Sequence, residues 1–138
     1  MSRQREWEFE GQRAWVEPSE PDVLWARFRG PVSVESSQWS CNIYKEMSEG
    51  GGFYLSVDVA NSHLSTESRR YLVDHAKAEW FLGIVYIGAG LDQKATTKSL
   101  MVGVMLNGKP VDVYYADTPE QARAWIEQHR AAKAKRPG

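Results

Sequence analysis

Short runs in which apolar and polar residues alternate give way along the chain to stretches in which apolar residues recur at helical spacing. In REWEFEGQRAWVEP, Trp7 and Phe9 alternate with Glu6, Glu8 and Glu10 before Ala14, Trp15 and Val16 follow. That pattern predicts one bulged strand or a small hairpin turning at Gly11. After the turn PSEPD, VLWARFRG sets Leu24, Ala26 and Phe28 against Trp25, Arg27 and Arg29, a half-buried strand. Trp39, Ile43 and Met47 then mark a helix over residues 34–47, ended by the glycines at 50–52. A third strand, FYLSVDV, alternates Phe53, Leu55, Val57 and Val59 with Tyr54, Ser56 and Asp58. Leu72, Ala76 and Trp80 stripe a second helix. FLGIVYI is apolar everywhere except Gly83, as a central parallel strand covered on both faces should be. DQKATTKSLMVGVML predicts a third helix closed by Asn107-Gly108, and VDVYY a last alternating strand. Thr118 as N-cap, Pro119 at the first helical position and Gln121 three residues after the cap begin the final helix.

The order ββαβαβαβα predicts an α/β fold with a mixed four- to five-stranded sheet. An N-terminal antiparallel strand or hairpin leads into parallel strands joined by right-handed crossovers, with four helices mainly on one face. If all crossovers move the same way, all four helices share that face and the other is open. Glu8 and Glu10 would there meet Arg27 and Arg29 across the first two strands. Trp25, Tyr54 and Tyr114, beside the apolar central strand, would form a patch that needs a cover. A protein partner, a second copy in a homodimer, or the N-terminal segment could supply it. The chain divides into an N-terminal extension at residues 1–22, the main domain at 23–129 and a basic flexible tail at 130–138.

Charge adds little to this picture, because 17 Lys and Arg balance 18 Asp and Glu to a formal charge of -1. Neither nucleic acid nor an acidic membrane surface is indicated. The basic run RAAKAKRPG reads as a solvated tail. A single cysteine, Cys41, excludes an intramolecular disulfide framework, and no apolar run approaches the ~20 residues of a membrane helix. A cytoplasmic protein without membrane insertion is expected. His63, His75 and His129 lack metal-ligand spacing, so no metal, no cofactor and no enzymatic activity are expected. GAGLDQK lacks the third glycine of a dinucleotide fingerprint and reads as a tight strand-to-helix turn. Cys41, between Ser40 and Asn42 inside the first helix, reads as a packed small residue.

The densest polar stretch is NSHLSTESRRYL, Asn61 through Leu72, between the third strand and the second helix. Ser65 or Thr66 is placed to cap that helix, and Glu67 suits its positive end. Together, FYLSVDVANSHLSTESRRYLVDH, FLGIVYIGAG and VDVYYADTPEQARAWIEQ resemble STAS-like bacterial domains related to the sporulation anti-anti-sigma factor and, more distantly, the CRAL-TRIO lipid-transfer fold. The resemblance spans roughly residues 23–129. It implies a regulatory interaction domain in which a serine at this helix entry is phosphorylated and the surrounding surface binds a kinase or another regulatory protein. Ser65 falls at the family's Asp, Thr66 at its phosphoacceptor, Glu67 at its second Ser and Ser68 at its Gly, so Thr66 is the candidate phosphoacceptor. The expected partner-binding loop comprises Asn61, Ser62, His63, Ser65, Thr66, Ser68 and Arg69. Binding of a small apolar ligand or lipid by the same fold is the alternative.

Overall fold

Glu10 and Gly11, at φ of 51° and 80°, turn the chain between β1 (Glu6–Phe9) and β2 (Gln12–Trp15). Positive φ at both central residues is what a two-residue hairpin requires, so the N-terminal segment is a hairpin rather than one bulged strand. Glu10 does more than turn the chain. Its carboxylate accepts hydrogen bonds from the Ser33 and Ser36 hydroxyls at 2.6 and 3.1 Å, fastening the turn to the start of α1 (Val34–Ser48).

The computed structural model describes residues 5–106 and 108–135. Beyond the hairpin it contains β3 (Val23–Arg27), β4 (Gly30–Val32), β5 (Phe53–Asp58), β6 (Ser62–Leu64), β7 (Phe81–Ile87) and β8 (Val113–Ala116). Helices α2 (Thr66–His75), α3 (Leu91–Leu106) and α4 (Pro119–Ala134) complete it, with one 3-10 turn at Ala78–Trp80. Six strands form one sheet in the order β1-β2-β3-β5-β7-β8, antiparallel up to β3 and parallel from there. The predicted mixed α/β architecture is present, with six strands in place of four or five. A second, two-stranded parallel sheet, β4 with β6, joins the ends of the loops after β3 and β5.

The expected open face is not open. Helices α1, α2 and α3 each connect two parallel strands that advance in the same direction, so right-handed crossover places them on one side. Among the described residues α4 leads from β8 into no further strand of the sheet, so that rule does not place it. It packs on the opposite face, where Ala122 and Ile126 join Val23, Trp25, Tyr54, Val85, Ile87 and Ala116 in a core of their own. As a result β3 and β5 are buried on both sides rather than half-buried, and Trp25 and Tyr54 lie under the chain's own last helix.

Several interactions fasten α4. Its Trp125 passes so close to β7 that a Cβ on Gly83 would sit 3.0 Å from the indole. The Tyr114 and Trp125 rings stack at 5.6 Å and 5°. Arg123 pairs with Glu17 and Glu20 and lies 4.7 Å over the Trp25 ring, while Arg130 pairs with Asp22 at 3.0 Å. His129 bridges the Tyr54 hydroxyl at 2.9 Å and Asp112 at 2.6 Å. The basic run therefore begins inside a helix and is ion-paired at Arg130, rather than being a solvated tail from residue 130. Residues 136–138 and Asn107, half of the expected cap on α3, lie outside the described residues.

One finer expectation also changes. Strand β2 lies between β1 and β3, so the expected Glu–Arg pairs do not meet across those strands. Arg13 takes Glu6 instead, and Arg29 binds Asp58.

Candidate functional site

The three crossover helices do not fill the space they cover. On their side the sheet presents Leu24, Ala26, Leu55, Val57, Ile84 and Tyr86, met by Ile43, Tyr44 and Met47 of α1 and by Leu100, Met101 and Val104 of α3. Helix α2 rests against α1 and α3, drawn to α3 at Gly103, where a Cβ would stand 2.8 Å from Val73. Its own face buries little beyond Ser68. Between this layer and the sheet lies a cavity of about 130 Å³.

The local sequence explains the space. Ser37, Ser40 and Tyr44 recur at i, i+3 and i+7 on the inward face of α1, so small hydroxyls stand where a core helix would carry leucines. Trp39, the large residue of that segment, turns away and stacks on Phe9 at 5.9 Å. Leu55, Val57 and Val59 of the β5 segment floor the cavity, with Phe81, Ile84 and Tyr86 of β7 beside them. Leu100, Met101 and Val104 close one side, and Leu72 and Ala76 another. His63 and Asp92 are exposed lining residues, and with half-buried Gln93 and Thr96 they mark the mouth.

Polar groups on the lining fall into two kinds. Thr97 is satisfied: its hydroxyl bonds to the Gln93 carbonyl and to the Tyr115 hydroxyl, both at 2.7 Å. The hydroxyls of Ser37 and Ser40, 2% and 4% exposed, have no hydrogen-bond partner among the described residues. Burial pushes the Tyr44 hydroxyl far above the usual tyrosine range. The Cys41 thiol adds to that rise and the Ser40 hydroxyl opposes it, without making a bond of ordinary geometry. Burial, then the fields of Tyr44 and Tyr115, raises Tyr86 likewise. Burial also lifts the Cys41 thiol to about 12, leaving it protonated and unreactive as a nucleophile at neutral pH. Such a wall offers shape and neutral hydrogen-bonding groups rather than charge.

Of the predicted loop only Ser62 and His63 line this cavity, and most of its residues hold structure. Asn61, at φ of 56°, turns the chain into β6. The buried Ser62 hydroxyl donates to the Val59 carbonyl at 2.6 Å, and its own carbonyl accepts from Gln93. Ser65, not Thr66, caps α2, accepting the Ser68 N–H at 3.0 Å. Ser68, fully buried, donates its hydroxyl to the Val32 carbonyl at 2.8 Å. Arg69 reaches Ser99 on α3 at 2.9 Å. Thr66 is the first helical residue and is exposed. Of the expected docking patch, Trp25 and Tyr54 are buried and Tyr114 is 36% exposed against Trp125.

His63 and Asp58 do not form an acid–base pair through hydrogen bonding; Asp58 is committed to Arg29 by two bonds of 2.9 Å. Burial alone would raise the Asp58 carboxyl, but the Arg29 bonds, the Ala60 N–H and the charges of Arg29 and Arg27 outweigh it and hold the group below its ordinary range. His75 stacks on Tyr71. Among the described residues no cluster of three His, Cys, Asp or Glu side chains could hold a metal ion, and no helix is long and apolar enough to cross a membrane. Ser37 and Ser40, absent from the expected site, had a legible signal in the run VESSQWSC, whose small inward positions imply space. Neither a model of a known protein family nor a curated protein matches the chain.

Proposed function

We propose that this is a non-enzymatic binding domain that takes a small apolar ligand between its sheet and its crossover helices. The observation that carries the reading is the cavity itself: apolar on most of its wall, open past His63 and Asp92, with two buried hydroxyls unpaired. Ligand sites are concave, mostly apolar and carry few polar groups, as here. Native mass spectrometry of protein purified from cells and then exposed to benzene-sized apolar compounds tests it. A retained or added small mass is expected. Protein that carries nothing and takes up none of the compounds would overturn the reading.

A second reading is carried by Thr66. It lies exposed at the first turn of α2, where a phosphate would meet the positive end of the helix dipole and Arg70, a turn along, is exposed as well. Under this reading the protein is a cytoplasmic STAS-like regulatory domain that presents the β6–α2 segment to a protein partner. The order of strands and crossover helices supports that kinship. Because His63 and Leu64 line the cavity, occupancy within could alter the surface the partner meets. Thr66→Ala should abolish capture of the partner from lysate without changing stability; undiminished capture would exclude Thr66.

A further inference from the structure

We infer that the cavity selects a small neutral ring bearing one hydroxyl, a phenol-type alcohol, whose hydroxyl is received by Ser37 and Ser40. The inference rests on the ligand-binding reading and specifies its chemistry. Size comes first. At about 130 Å³ the space is comparable with the ~150 Å³ apolar cavity that admits benzene, and far too small for a phospholipid or a long acyl chain.

Charge narrows the class further. No Lys or Arg stands among the lining residues, and the one carboxylate there, Asp92, is at the mouth. A carboxylate or phosphate drawn inside would be buried without a counter-charge, which is strongly unfavourable. Position of the free hydroxyls then orients the guest. Thr97 on the α3 side already spends its hydroxyl on Gln93 and Tyr115, whereas on one face of α1 Ser37 has no partner and Ser40 has only the neighbouring Tyr44 hydroxyl, without a bond of ordinary geometry. The ring would lie against Leu55, Val57 and Leu100, with its hydroxyl toward α1. A site built around such unpaired groups discriminates strongly against an analogue that lacks the hydroxyl.

Calorimetric titration of the full chain with phenol and with toluene tests this, because the two probes differ mainly in the hydroxyl. The readout is the ratio of the toluene Kd to the phenol Kd, compared between wild type and the double variant Ser37→Ala, Ser40→Ala. The ratio should fall roughly tenfold in the double variant, the scale of one or two neutral hydrogen bonds. It should hold in Ser56→Ala, whose buried and equally unpaired hydroxyl lies on β5 but, unlike its neighbours Leu55 and Val57, is not part of the cavity lining. Should the double variant not fold, Ser37→Ala alone gives the same comparison. An unchanged ratio while toluene still binds would overturn the phenol assignment and leave the cavity as an apolar site. Failure of both probes to bind wild type would overturn the assignment and the ligand-binding reading together.

Discussion

The two faces of this sheet are covered by different means, and the difference separates support from site. Under α4, Trp25, Tyr54 and Trp125 fill the space, and Arg123 and Arg130, lying over the Trp25 and Tyr54 rings, pair with Glu17, Glu20 and Asp22. Under α1, α2 and α3, serines stand at inward positions and a cavity remains. Helix α4, which joins no two strands among the described residues, settles directly onto the sheet. Three helices held in place by the strands they connect leave room between them unless large side chains fill it.

The largest expected effect is on the filled face. Ile126→Ala, at a residue 1% exposed, should cost about 2–5 kcal/mol in urea unfolding. A loss below about 1 kcal/mol would mean that α4 is not seated as described. Arg29→Ala, at the strand ends between the two layers, should cost about 1–2 kcal/mol, since the pair is bidentate but partly solvated. This pair also has a pH signature. The folded Asp58 carboxyl titrates below its unfolded value, so its contribution is fully present above about pH 4 and is lost as pH falls through the folded pKa. Arg29→Ala should therefore flatten the acid limb of the stability curve, as urea midpoints between pH 2 and 5 would reveal.

Hydroxyls on the cavity side give effects of opposite sign. Ser68→Ala should cost about 1–3 kcal/mol by leaving the Val32 carbonyl unpaired, whereas Ser37→Ala should be neutral or stabilising by up to ~1 kcal/mol because no bond is lost. Equal losses would mean that Ser37 has a structural partner after all. Smallest is Thr66→Ala, expected within about 0.5 kcal/mol, against about 0.5–2 kcal/mol for Ser65→Ala, the residue that caps α2. Thermal or urea unfolding of the two variants side by side decides between them.

Much of the fold is readable in the sequence because local rules agree. Pro119 after Thr118 starts α4, alternation marks β3 and β5, and the apolar run of β7, interrupted only at Gly83, marks a strand inside the sheet, between β5 and β8. The cover of the second face was less accessible. Alternation in β3 and β5 suggests one wet side, yet Tyr54 and Ser56 are buried because a helix distant in sequence returns over them. Ser65 and Thr66 are interchangeable as caps by residue type, and the Ser65 to Ser68 hydrogen bond distinguishes them. The cavity is written in absence, as small residues at inward positions of α1; of the periodic set Trp39, Ile43 and Met47, the last two do enter the core, and Trp39 alone turns aside onto Phe9.

Methyl-resolved NMR during a toluene titration tests the central claim most directly, since both faces carry methyl reporters. Shifts are expected at Leu55, Val57, Leu100 and Val104, which line the cavity, and none at Val23, Val85 and Ile126 beneath α4. Shifts confined to the α4 face, or none on either face at saturating toluene, would contradict that claim.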